Sequence, residues 1–158
     1  MTSIKRISNE FKEIKNDINN EPFKDHRLID IKNINDNDLY KLEISFLGPI
    51  ESPYEELINT ILIEIPTEYP NQAPTIKFIN KIYHPNISLD GKICLDILKD
   101  NWRPIYTLKT IILSIISLLS EPNPDSPLNN IAAKLYRDSI NNKQLRRKYS
   151  NIIESYYI

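Results

Sequence analysis

Four strand-like runs follow one another between residues 28 and 79 with no helical segment between them, and that order constrains the fold more than any other feature. Strands that succeed each other without a crossover helix pair antiparallel, so a meander is expected. The clearest run sets Tyr40, Leu42, Ile44 and Phe46 against Lys41, Glu43 and Ser45, a period of two that implies one buried face. Leu57 to Ile65 is denser in isoleucine and is expected at the sheet centre, while Leu28 to Lys32 and Thr75 to Ile79 complete the set. The run Asn35-Asp36-Asn37-Asp38 suits a hairpin turn between the first two strands.

Helical patterns flank this block. Ile4, Ile7, Phe11, Ile14 and Ile18 lie on one helical stripe, with Lys5, Arg6, Lys12 and Lys15 outside it and expected in solvent. Glu21-Pro22 ends the pattern. After Phe78 regular patterning stops until Tyr106, across a segment holding Pro85, Gly91, Cys94, Trp102 and Pro104; an irregular stretch of that length, rich in apolar residues, is expected to be functional. Thr107 is a candidate cap for a helix whose apolar residues cover nearly every face, which places it at the centre of the fold, and Pro122 ends it. A short helix around Asn130 to Tyr136 and a last amphipathic helix through Leu145, Tyr149, Ile152, Ile153 and Tyr156 close the chain. The expected class is α+β: an N-terminal helix, a four-stranded antiparallel meander, then C-terminal helices.

With 158 residues the chain is read as one domain over residues 1–158. A formal net charge of -1 argues against nucleic acid as the main partner. The longest apolar stretch, Ile111 to Leu119, is broken by Ser114 and Ser117 and is far short of the roughly 20 residues of a membrane span. The N-terminus is charged within six residues and does not look like a signal peptide. A single cysteine forms no intramolecular disulfide, so cytosol or nucleus is the expected compartment. The 29 Ile, 18 Asn and absence of Val fit codon bias as well as selection, which leaves the information in the scarce residues: one Cys, one Trp, two Gly and eleven Pro.

Cys94 is either a small buried hydrophobe or a nucleophile. It lies in the irregular segment, three residues after Gly91, where the backbone can be shaped around a reacting group. One Cys and two His do not fill a tetrahedral zinc site without carboxylates, so no metal is expected. His84 is the candidate base of a protease-like pair, but Pro85 after it suggests a fixed turn. Asp96, if close, disfavours a thiolate by like charge, which suits a carrier that receives an acyl group by thiol exchange and holds it.

Tyr83-His84-Pro85-Asn86, with Cys94 eight residues after the Asn, Leu95-Asp96-Ile97-Leu98 behind it and Trp102 eight residues past the Cys, resembles the catalytic segment of ubiquitin-conjugating (E2) enzymes. Gly48-Pro49, Ser52-Pro53-Tyr54, Tyr69-Pro70, Ala73-Pro74, Glu121-Pro122-Asn123-Pro124 and Asp125-Ser126-Pro127-Leu128 extend the likeness over nearly the whole chain. The resemblance implies the ubiquitin-conjugating fold and a carrier mechanism: Cys94 takes ubiquitin as a thioester from the activating enzyme, and a lysine amine on a substrate then attacks it. ATP is consumed by the activating enzyme, so no cofactor is expected here. The downstream half leans toward the mitotic, cyclin-selective subgroup. Alternatives are a carrier of another modifier (NEDD8 or SUMO type) and a non-catalytic ubiquitin-binding variant, which the presence of Cys94 argues against.

The resemblance also assigns roles. The Asn86 amide either donates to the tetrahedral oxyanion or braces the loop. His84, Pro85 and Trp102 are read as structural. Tyr83, Asp96 and Ser126 form the environment of the attacking lysine, whose amine must be neutral although its free pKa is near 10.4. Many members carry Asp where this chain has Ser126; the serine is either a phosphate acceptor that restores negative charge or a plain loop residue. Lys5 and Arg6 match positions that meet the activating enzyme, and Asn71, Arg103, Pro104 and Ile105 match the loops that face RING-type or HECT-type ligases. Leu113 and Ser117 match positions that pack on the carried ubiquitin, and Ile31 stands where many members bind a second ubiquitin on the outer sheet face. A monomer is expected.

Overall fold

The computed structural model describes residues 3–20, 27–35 and 38–157; Glu21-Pro22 and the Asp36-Asn37 part of the expected turn lie outside them. The elements are α1 (Ser3–Asn20), β1 (Leu28–Asn33), β2 (Lys41–Leu47), β3 (Ile58–Glu64), β4 (Thr75–Phe78), α2 (Leu108–Ser120), α3 (Asn130–Ser139) and α4 (Lys143–Ser155). The strands form one antiparallel sheet in the order β1-β2-β3-β4, so β2 and β3 are central. Alternation sets the faces. Leu42, Ile44 and Phe46 point inward opposite Ile63, Ile61 and Asn59 of β3, and Ile76 and Phe78 of β4 continue the layer.

β1 departs from simple alternation. Its register against β2 jumps from Leu28↔Phe46 to Asp30↔Ser45, so Ile29 is an extra residue and the strand carries a bulge. The bulge turns both Leu28 and Ile31 into the core, each fully buried. The expectation that Ile31 stands on the outer sheet face is therefore corrected.

α1 lays Ile7 and Ile14 against the core, with Phe11 and Ile18 partly buried beside them. Three side chains on this helix depart from the simple stripe. Ile4 is 45% exposed, while Glu10 takes a buried place on the stripe. Arg6 is also drawn inward, its side chain only 23% exposed in an ion pair with Glu10. α2 is the central helix: seven of its residues are buried, and an outward stripe of Thr110, Ser114 and Ser117 remains. Thr107 caps it, its hydroxyl accepting from the Thr110 N–H at 3.1 Å, and the helix stops at Ser120 ahead of Pro122. α4 packs Tyr149 and Ile153 inward. Tyr83, Tyr136 and Tyr156 gather around that helix with ring centroids 5.4–6.0 Å apart. No helix among the described residues is long and apolar enough to cross a membrane.

Candidate active site

Between β4 and α2 the backbone has no regular ladder beyond a 3-10 turn at Asp96–Leu98, so side chains must fix its course. His84 is the first tie. Its buried ring bridges two backbone groups: Nδ1 accepts from the Asn86 N–H at 2.9 Å, and Nε2 donates to the Leu118 carbonyl of α2 at 2.8 Å. That pairing requires the neutral tautomer protonated on Nε2. Burial lowers the pKa from 6.5 to about 4, against the Leu118 hydrogen bond that favours the charged ring. His84 thus fastens the segment to α2 and is not poised to move protons at neutral pH.

This ring has a consequence for acid stability. Between pH 6.5 and about 4 the unfolded chain binds a proton on His84 that the folded chain does not, so stability falls as pH drops through that window. The loss is about 1.4 kcal/mol per pH unit and roughly 3 kcal/mol in all, and it stops growing below the folded value. Denaturant titrations across the window are expected to show this slope, and His84→Gln is expected to lose it.

Asn86 is the second tie. It is buried, and its Nδ2 donates to the carbonyls of Asn123 at 2.6 Å and Ser126 at 3.0 Å, while Oδ1 accepts from the Asn123 N–H at 2.7 Å. Its own carbonyl accepts from the Cys94 N–H at 2.9 Å. Pro85 adds a third grip, since its carbonyl accepts from the N–H groups of Leu128 and Asn129 at 2.8 and 3.1 Å. The Pro85-Asn86 pair therefore holds the cysteine on one side and the 123–129 loop on the other. In this arrangement both amide protons of Asn86 are used in bracing.

An open groove of about 550 Å³ results, lined among others by Asn86, Cys94, Asp96, Lys99, Asn101, Asn123 and Ser126. The Cys94 thiol is half-buried in it, reachable by a bulky acyl group. Asp96 begins the 3-10 turn, is exposed and accepts from Asn101 Nδ2 at 3.0 Å. Ser126 is exposed and lines the same groove. Cys94, Asn86, Asp96 and Ser126 are thus brought together.

Tyr83 is not. Its ring is 5% exposed and turned toward Tyr149 and Tyr156, with burial raising its pKa, so its expected place in a lysine environment is corrected. Asn123, Lys99 and Asn101 are groove residues that the sequence reading missed. Asn123 stood in the quoted proline-rich block, but nothing in its neighbourhood marked it as Asn86's partner.

A sequence profile described as ubiquitin-conjugating enzyme matches residues 6–153. The chain belongs to the ubiquitin-conjugating enzyme family. A curated relative, Ubiquitin-conjugating enzyme E2 1 of Caenorhabditis elegans, is 44% identical over 116 residues, covering 73% of this chain and 59% of the relative; the match leaves the remainder of that longer protein uncovered. Among solved structures, the H. polymorpha ubiquitin conjugating enzyme Pex4p, determined in complex with the soluble domain of Pex22p, superposes with a TM-score of 0.89 at 28% identity, covering 99% of this chain and 97% of that one.

The other surfaces of this ubiquitin-conjugating domain are placed as follows. Leu113 is half-buried and Ser117 exposed on the outward side of α2. Asn71, Arg103 and Pro104 are exposed, and Ile105 reaches 80% exposure. Trp102 lies beneath them, its indole N–H donating to the Pro70 carbonyl at 2.8 Å. Lys5 is exposed on α1, whereas the Arg6 guanidinium is engaged within the domain.

Proposed function

We propose that this chain is a ubiquitin carrier that acts through Cys94, in the cytosol or nucleus. The observation that carries the reading is the half-buried thiol in an open groove, with its backbone bonded to Asn86 and the Asn86 carboxamide clamping the facing loop. In the first step the Cys94 sulfur attacks the thioester carbonyl that joins ubiquitin to the activating enzyme. A new thioester forms, and the activating enzyme's thiol leaves with the proton. One acyl–sulfur bond replaces another, so the exchange is nearly balanced in energy. In the second step a neutral lysine amine attacks the carbonyl, an isopeptide bond forms, the amine loses a proton and Cys94 leaves as thiol. Asp96 is suited to hold the incoming amine. RING-type or HECT-type ligases are the expected partners at the Asn71 and Arg103–Ile105 loops.

Ser126 makes the amine's environment less acidic than an aspartate would. An exposed charge contributes only about 0.2–1 kcal/mol. Ser126→Asp is therefore expected to speed discharge of the thioester to free lysine by a factor of about 1.4 to 5. Single-turnover rates at one lysine concentration check this.

The modifier is tested by supplying ubiquitin, NEDD8 and SUMO in turn, each with its own activating enzyme and ATP. An adduct with ubiquitin and none with the other two supports the reading, and the reverse pattern overturns it.

A further inference from the structure

One buried carboxylate joins α1 to two distant loops. Glu10 is 8% exposed. Its Oε1 accepts from the Leu108 N–H, at the first residue of α2, at 2.7 Å, and its Oε2 accepts from the Tyr69 hydroxyl at 2.7 Å and from Arg6 Nε at 3.2 Å. Burial and then the Glu10 hydrogen bond push the Tyr69 pKa up, which keeps that hydroxyl a donor. Arg6 extends the tie: Nη2 donates to the Tyr106 carbonyl at 2.8 Å, and the guanidinium lies 5.3 Å from the Tyr69 ring centroid. Trp102 closes the set between Tyr69 and Tyr106, with centroids 6.0 and 5.8 Å away.

The loops carrying Tyr69 and Tyr106 belong to no strand or helix, and each has only short turn bonds of its own, such as Asn71 N–H to the Glu68 carbonyl and Tyr106 N–H to the Arg103 carbonyl. Their relative position is therefore set by these buried ties together with the Trp102 indole N–H, which donates to the Pro70 carbonyl at 2.8 Å. The exposed residues Asn71, Arg103, Pro104 and Ile105 lie on these two loops, which the Trp102–Pro70 bond and the Tyr69–Trp102 ring contact hold side by side. A surface held in shape before binding avoids the ordering cost of docking.

We infer that Arg6 and Glu10 are positioning residues for this two-loop surface, and that Arg6 works inside the domain rather than as a contact for the activating enzyme. The identity of the partners rests on the ubiquitin-carrier reading; the positioning does not. The chemistry favours these residue types. The planar fork of Arg6 bonds Glu10 and the Tyr106 carbonyl together while facing a ring, which the point charge of lysine does not reproduce. A carboxylate at position 10 offers two acceptor oxygens to three donors, and glutamine halves that capacity.

The test compares the full chain with Arg6→Lys, Glu10→Gln and, as a control at the exposed tip, Arg103→Ala. Amide hydrogen exchange is read at Asn71, Tyr106 and Leu108 and at the sheet centre (Ile61, Leu62), alongside KM and kcat for charging with ubiquitin. Arg6→Lys and Glu10→Gln are expected to speed exchange at Tyr106 and Leu108 at least about tenfold relative to the sheet centre. Charging KM is expected to stay within about twofold of the starting value, since the Arg6 guanidinium is engaged with Glu10 and the Tyr106 carbonyl and not with the activating enzyme. Arg103→Ala is expected to leave loop exchange unchanged. Unchanged loop exchange in Arg6→Lys and Glu10→Gln, or uniform acceleration across the sheet, overturns the positioning role. A several-fold rise in charging KM for Arg6→Lys overturns its internal assignment. Failure of the unaltered chain to charge at all counts against the carrier reading alone, because the exchange comparison stands without it.

Discussion

Asn86→Asp is expected to slow discharge of the Cys94 thioester to free lysine at least about 100-fold while charging persists. The wild-type carboxamide meets two carbonyls with its Nδ2 and one N–H with its Oδ1. A carboxylate at that place keeps the acceptor for the Asn123 N–H and turns a second oxygen toward the Asn123 and Ser126 carbonyls. Two donors become one repelling acceptor in a buried position, at a local cost of several kcal/mol. The cheapest relief is for the 123–126 loop to swing out, since the Asn86 backbone is held by His84 and Cys94. That motion carries Ser126 away from the groove, and misplacing a catalytic wall by about 1 Å costs on the order of 100-fold in rate. Charging depends on the thiol itself and should suffer less. Single-turnover discharge of pre-formed thioester, with a melting curve to establish folding, checks the prediction.

Gly91→Ala is expected to destabilise the fold by roughly 3 kcal/mol or more, lowering Tm by at least about 6 °C. Gly91 has φ of 92°, a region L side chains rarely adopt. A Cβ built there falls 2.2 Å from the Phe78 carbonyl oxygen, and this neighbour is strand backbone with little freedom to give. The same strand end donates its N–H to the Gly91 carbonyl at 2.9 Å. Relieving the clash therefore breaks the bond that anchors the cysteine segment to β4. Charging should fall with stability, and calorimetry together with the rate of thioester formation reads both.

The sheet was legible because β2 and β3 alternate cleanly and their faces follow from a period of two. β1 was not, since a single extra residue at Ile29 shifts every later side chain, and apolar residues on both sides of a bulge leave no mark of it in sequence. The α1 stripe was legible in outline, yet Glu10 shares its inward face and displays no special composition. An acidic residue three positions after Ile7, on an otherwise apolar stripe, was the available signal. At the site, the family resemblance singled out Cys94, Asn86, Asp96 and Ser126, and these four line one groove. The clamp itself was hidden, because Asn86 and Asn123 are 37 residues apart and hydrogen bonding across that separation has no periodicity. Tyr83 misled because adjacency to the His-Pro-Asn run says nothing of side-chain direction; its ring turns to the α4 aromatics instead.

The central claim is that ubiquitin is carried on the sulfur of Cys94. The most direct measurement is intact mass after incubation with activating enzyme, ATP and ubiquitin, with and without thiol reductant, for the wild type and for Cys94→Ala. The account predicts one added ubiquitin on the wild type that reductant removes, and none on Cys94→Ala. A reductant-sensitive adduct that persists in Cys94→Ala, or no adduct on the wild type, would contradict it.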